Sequence, residues 1–361
     1  MDQLRNLFLF PWIIAAIISF VTTPVVIKFG EKLGIIDDPA RNKHIKVIHT
    51  YPIPRGGGIP IFIALFVASL LFLNVDKHLV GILVGATILV IMGFLDDKYN
   101  LNPYLRIVIG LIAASIPIAA GIGIAFVSNP FGGIIDLSHP QIAFTLFGSM
   151  HNVWLISDLF AIFWITFLMN IVNMGAKGVD GQLSGVVAIA ALTIAFLSFK
   201  FSADSSQWPV IILASITAGA FLGFLPWHIF PQKIMPGYGG SSLAGYLLAI
   251  LSILSTTKVG VLLVVLGVPL IDTGYTVIRR VLQGKSPVWG DRGHLHHRLL
   301  DAGLTKSQVA FFYWGITALL GFLALNLNTA SKLYTMIGIA AVLGGLILWL
   351  THRPKNNKKT T

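Results

Sequence analysis

Apolar runs long enough to cross a lipid bilayer recur from one end of this chain to the other, with only short polar segments between them. A crossing helix needs about 20 predominantly apolar residues. Eleven spans are read, at 7–29, 59–74, 79–95, 104–127, 157–174, 184–199, 208–229, 242–256, 259–276, 309–328 and 333–351. In lipid the backbone must satisfy its own hydrogen bonds, so runs of this length become helices. The expectation is an all-α, polytopic membrane protein with a single domain over 1–361. Composition agrees: 55% of the residues are hydrophobic and 11% are charged, where soluble domains carry about a quarter charged. The first run lacks a strongly basic flank and a small-residue cleavage site, and is read as a span rather than a signal peptide.

Charge sets the orientation. The loops 30–58, 96–103, 175–183, 230–241 and 277–308, with the tail from Thr351, hold eighteen of the 25 lysines and arginines, and the opposite loops hold five. Basic loops stay in the cytoplasm, so the N-terminus is expected outside and the C-terminus inside, in a bacterial-type inner membrane. The net charge of +11 is then explained by topology and anionic lipid headgroups, and no nucleic-acid partner is implied. Almost no ionisable group falls in mid-span, which argues against a proton-coupled pump. The chain has no cysteine, which excludes disulfides and thiolate metal sites. The segment 128–156 has no basic residue and is expected to form a short hairpin on the far face.

Five of the basic-side segments carry nearly all the chemistry. The first joins Asp37-Asp38-Pro39 and Arg41-Asn42-Lys43-His44 to Pro54-Arg55-Gly56-Gly57-Gly58, a turn-rich stretch whose basic residues suit phosphate. The second ends a span with Asp96-Asp97. Adjacent carboxylates at a membrane boundary need water, a counter-charge or a cation such as magnesium. The third places Asn170 and Asn173 three apart, on one helix face, before Lys177 and Asp180-Gly181. The fourth, Gly237-Tyr238-Gly239-Gly240-Ser241, opens a span with a glycine-rich turn, a geometry that admits anions. The fifth runs from Pro269 and Asp272 through Arg279 to Asp291-Arg292-Gly293-His294-Leu295-His296-His297-Arg298. Zinc is the rival ligand for its three histidines, and the flanking arginines favour a phosphate-rich anion. Each segment also has a plain structural reading, as a topology-setting loop, a solvated helix end or a headgroup patch.

Taken in this order, the five segments resemble the polyprenyl-phosphate N-acetylhexosamine-1-phosphate transferase family over about residues 29–304. Asp291 to Arg298 is similar to the DRxHLHHRL motif of its UDP-N-acetylglucosamine branch. The resemblance implies transfer of a sugar 1-phosphate from a UDP-sugar to undecaprenyl phosphate, with release of UMP, at the start of cell-envelope polysaccharide synthesis. It implies that Asp96 and Asp97 act on the lipid phosphate. It assigns Asn170, Asn173 and Asp180, with Asp291, Arg292, His294, His296, His297 and Arg298, to the nucleotide and sugar phosphate, and Lys177 is read beside them as a positive charge for the diphosphate. Magnesium is the implied cofactor, held by Asp96, Asp97 and Asp180. Membrane lipids are further partners, and a homodimer is left open. Two positions depart from the pattern. Tyr238 stands where the family's GDxGS loop has a metal-binding aspartate. The third segment is one residue longer than NxxDGxDG and has Lys177 about where its first aspartate belongs. Alternative readings are a relative that binds polyprenyl phosphate or nucleotide without turnover, a phospho-N-acetylmuramoyl-pentapeptide transferase, and an unrelated transporter.

Overall fold

Each of the eleven apolar runs contains helix in the computed structural model, which describes residues 2–40, 47–146, 149–255, 258–287 and 292–352. A short α1 (Asp2–Leu4) passes through a π turn into α2 (Phe10–Lys32), and β1 (Ile36–Asp37) pairs antiparallel with β2 (Ile53–Pro54). Then come α3 (Gly58–Phe72), α4 (Lys77–Tyr99) and α5 (Pro103–Ala119). Two antiparallel hairpins follow, β3 (Phe126–Ser128) with β4 (Ile134–Asp136) and β5 (Gln141–Leu146) with β6 (Ser149–Trp154). The chain continues through α6 (Leu155–Gly175), α7 (Gln182–Phe199), α8 (Trp208–His228) and α9 (Gly237–Leu254). It ends with α10 (Lys258–Val265), α11 (Gly267–Leu282), α12 (Leu295–Asp301), α13 (Lys306–Ala324) and α14 (Thr329–His352). The protein is thus an all-α, multi-pass membrane protein.

Eight of these helical segments are long and apolar enough to cross a bilayer, and α10 and α11 form a ninth that is broken by an 80° bend. The two remaining runs give shorter helices, α3 with 15 residues and α5 with 17. The span read to residue 127 stops early. After Pro117 the backbone turns at Gly121, which has a φ of 103°, and enters β3. The hairpin expected over 128–156 is two hairpins, joined to the ends of α5 and α6 remote from Asp96 and Asn173. The glycine-rich fourth segment, read as a loop before residue 242, instead forms the first turn of α9. Arg41, Asn42, Lys43, His44 and Asp291 lie outside the described residues.

The bundle is built around α9, which packs against α3, α4, α6, α7, α8 and α10. Its span is 94% buried, whereas the spans of α2 and α14 are only 22% and 11% buried. The outer helices turn side chains such as Val21, Phe29, Leu71 and Val342 outward, the surface that lipid covers. Small residues bring the central helices together, as is usual between membrane helices. A Cβ on Gly93 of α4 would overlap the backbone of Gly239, and one on Gly58 of α3 would lie 2.6 Å from the nitrogen of Gly240. These contacts gather the start of α3, the end of α4 and the start of α9 at one point.

Candidate active site

The paired carboxylates close α4 at this junction. A helix C-terminus already carries partial negative charge, so two acids there need compensating donors. Asp96 is ion-paired with Arg106, whose Nε lies 3.0 Å away, and accepts the backbone N–H of Leu101 at 3.1 Å. Asp97 is 7% exposed and accepts the backbone N–H of Tyr238 at 3.2 Å. It lies directly on Gly237, whose φ is +66° and whose absent Cβ would overlap the Asp97 carboxylate. Arg55 completes this side. It donates to Asn100 Oδ1 at 3.0 Å and to Asp37 Oδ2 at 2.5 Å. The first two polar segments are thereby tied together, with the β1–β2 pair holding Asp37 and Arg55 in register.

The loop from Gly175 to Gly181 is the hub of the site. Asn170 and Asn173 sit one turn apart on α6, but only Asn173 reaches across to another segment. The Asn170 amide donates to Thr166 O, within its own helix, at 2.8 Å. Asn173 Oδ1 accepts from Ser241 Oγ at 2.7 Å and from Lys177 Nζ at 3.3 Å. The Lys177 ammonium also donates to Gly237 O at 2.9 Å and Ser241 Oγ at 3.3 Å. Burial brings its pKa down to about 8, against the attraction of Asp97 and Asp96. Lys177 therefore sits against Gly237, the residue packed on the Asp97 carboxylate, while Asp180 is paired elsewhere. Asp180 is 1% exposed, has Lys306 Nζ at 3.5 Å, and neither carboxylate oxygen makes a well-formed hydrogen bond. Burial raises its pKa, with Lys306 opposing.

The histidine segment covers the other side of the hub. Gly178 lies beneath His296, close enough that a Cβ would overlap the imidazole. His294 Nδ1 is 3.0 Å from Asp272 Oδ2, and the other Asp272 oxygen accepts the Leu295 N–H at 2.7 Å. One buried carboxylate on α11 thus orients the imidazole and caps the start of α12. The rings of His294 and His296 stack at 5.7 Å, and those of His296 and His297 lie 4.2 Å apart. Burial and the neighbouring basic groups hold the His296 pKa well below the usual histidine value. The two arginines reach α12, α11 and α14. Arg292 pairs with Asp301 at 2.9 Å. Arg298 donates to Gly293 O at 3.0 Å and to Thr351, and lies over the Tyr275 ring.

The structure thus brings Asp96, Asp97, Asn173 and Lys177 together, and sets His294, His296 and His297 across the same loop. The sequence reading gives no site role to Arg106 or Lys306, and includes Ser241 only as the end of the glycine-rich fourth segment. Lys306 enters the sequence reading only in the charge count of the 277–308 loop, and Arg106 lies inside the 104–127 run, outside both loop counts, although a charge at the edge of an apolar run is a functional cue. The Tyr238 side chain lies on the Asp96 side of the junction, with its hydroxyl 3.5 Å from Arg106 O and its ring beneath the Arg106 guanidinium. Among the described residues no three histidine, aspartate or glutamate side chains converge as metal ligands.

The profile of glycosyl transferase family 4 matches residues 79–256, the stretch from α4 to α9. The chain is 30% identical to a probable undecaprenyl-phosphate N-acetylglucosaminyl 1-phosphate transferase of Bacillus subtilis, over 88% of this chain and 86% of the relative. It is 27% identical to a decaprenyl-phosphate N-acetylglucosaminephosphotransferase of Mycobacterium tuberculosis, over 91% and 85%. A phospho-N-acetylmuramoyl-pentapeptide-transferase of Bacillus subtilis matches at 26% identity, over 90% and 99%.

Proposed function

Since this chain belongs to glycosyl transferase family 4, a family of membrane glycosyl-1-phosphate transferases, we propose that it moves N-acetylglucosamine 1-phosphate from its UDP ester to undecaprenyl phosphate. The relatives named for N-acetylglucosamine and the His294-Leu295-His296-His297-Arg298 run support this donor over the muramoyl-pentapeptide one. The reaction takes place at the inner face of a bacterial inner membrane, where the basic loops lie and where UDP-sugars are available.

The observation that carries the reading is the meeting of Asp97 and Lys177 at Gly237, where α4, α6 and α9 converge. An oxygen of the lipid phosphate attacks the phosphorus bearing the sugar. The bond from that phosphorus to the bridging oxygen breaks, and UMP leaves with the electron pair. A new diphosphate joins lipid to sugar, so bonds and charge balance. In phosphoryl transfer the protein contributes mainly position and countercharge. Asp97 accepts the proton of a monoprotonated acceptor phosphate. Lys177, Arg55 and Arg106 offset the charge that gathers on the departing UMP. The imidazole of His294, fixed by Asp272, holds the sugar phosphate from the other side of the hub.

The test is a radiolabelled UDP-N-acetylglucosamine assay with undecaprenyl phosphate in detergent. The expected outcome is a labelled lipid and an equal amount of UMP. Binding of both substrates without UMP release would overturn the reading.

A further inference from the structure

We infer that the Lys177 ammonium is a tethered cation that takes the place of a divalent metal at the diphosphate. This rests on the reading above. The family generally works with a divalent metal, and the residues present here do not suit one.

Two observations carry the inference. The first is the cage around Lys177. A backbone carbonyl, an amide oxygen and a hydroxyl, from Gly237, Asn173 and Ser241, surround Nζ at 2.9–3.3 Å. These neutral oxygens are the kind that complete the coordination shell of a hard cation. An ammonium has three N–H donors, and three acceptors meet them. The cage is therefore filled by the chain itself. Its oxygens come from two helices, α6 and α9, and its occupant from the hub loop, so it is more than a local turn.

The second observation is the pairing of the surrounding acids. Magnesium is usually held by one or two carboxylates together with substrate phosphates. Here Asp96 is paired with Arg106 at 3.0 Å, Asp180 with Lys306 at 3.5 Å and Asp37 with Arg55 at 2.5 Å. Asp97 is the remaining acid at the junction, and it is the carboxylate that most favours the charge on Lys177. A divalent ion seated beside Asp97 would share the surroundings of Gly237 with that ammonium and be repelled by it. The arrangement is self-consistent only when the positive charge comes from the side chains. It also explains why Tyr238 is tolerated in the first turn of α9. Its ring packs under Arg106, outside the cage, where no ligand is needed.

The experiment uses the full-length protein in detergent and has two readouts. Manganese binding is followed by electron paramagnetic resonance without substrates, and UMP release is followed with and without EDTA. The inference requires that wild type leaves manganese free and keeps most of its turnover in EDTA. It also requires that Lys177→Met, which keeps the length and removes the charge, lowers turnover by about 10²-fold, the scale for one electrostatic group at a reacting phosphate or acyl centre. An unchanged elution volume and circular dichroism spectrum would show that this variant is folded. Restoring acids with the double variant Lys177→Asp, Tyr238→Asp should create manganese binding. Stoichiometric manganese binding by wild type, turnover abolished by EDTA and restored by magnesium, or an active Lys177→Met would each overturn the inference. A wild type without turnover would defeat the proposed reaction alone, because the manganese readout still decides whether the cage accepts a metal.

Discussion

The backbone N–H of Tyr238 donates to Asp97 Oδ1 at 3.2 Å, so the opening turn of α9 is bonded to the closing turn of α4. The positive end of one helix dipole thereby meets a carboxylate on the negative end of another. Asp97 gains a fixed donor without losing both of its oxygens, which suits a group that must also take a proton.

Replacing that acid tests its role directly. Asp97→Asn keeps the shape and the acceptor for Tyr238 but cannot act as a base. Turnover should fall at least about 10²-fold, the scale of a positioned acid–base group, while UDP-sugar affinity changes far less. Steady-state rates with isothermal binding would separate the two, and equal turnover would place the chemistry on another residue.

Asp272 reaches the reaction only through His294, and its loss should show it. Asp272→Asn leaves an acceptor for the Leu295 N–H but no longer fixes the His294 tautomer. We expect kcat to drop by about 10²-fold with partial recovery in Asp272→Glu. The melting temperature should move little. A variant that lost stability and activity in parallel would make Asp272 a structural residue instead.

The buried His296 gives a pH dependence of stability with a definite sign. Its folded pKa is depressed below the usual 6.5. Above that value the ring is neutral in both folded and unfolded chains. Below it, the unfolded chain takes up a proton that the folded chain refuses. This ring's contribution therefore falls as pH drops below about 6.5, by up to about 1.4 kcal/mol per unit. Thermal unfolding in detergent between pH 7 and pH 5 should show the decline, and His296→Gln should flatten it.

Sidedness is accessible because the chain contains no cysteine. Asp136→Cys in β4 and Asp301→Cys at the end of α12 are both at exposed positions. A membrane-impermeant thiol reagent added to intact cells should label the first and spare the second. The reverse pattern would invert the proposed orientation.

The architecture was legible because lipid makes sequence unusually literal. A long apolar run has few options in a bilayer, so each of the eleven intervals contains helix. The failures come where the backbone departs from that rule. Gly121 and Pro117 end α5 early, and the bend after Val265 depends on packing that no single window of sequence contains. The residue types of the site were legible, but their partners were not. Asn170 and Asn173 have the right spacing to act together, yet Ser241 selects only Asn173, because α9 arrives beside one of them. Lys306 and Asp180 are far apart in sequence, and no local pattern predicts that they meet. Arg106 reads as the edge of a span until α4 and α5 are packed, when it becomes the partner of Asp96.

Gly93, Gly178 and Gly237 each lie where a neighbour occupies the space a Cβ would need. Their contribution is volume withheld, and any replacement adds atoms. Natural variation can therefore damage this centre from positions that carry no functional group at all. A survey that scores residues by chemical capability would pass over these three. In a random mutagenesis screen they should behave like catalytic positions: intolerant of every substitution, indifferent to the charge or polarity of the newcomer, and separable from true reactants only because small side chains do less harm than large ones.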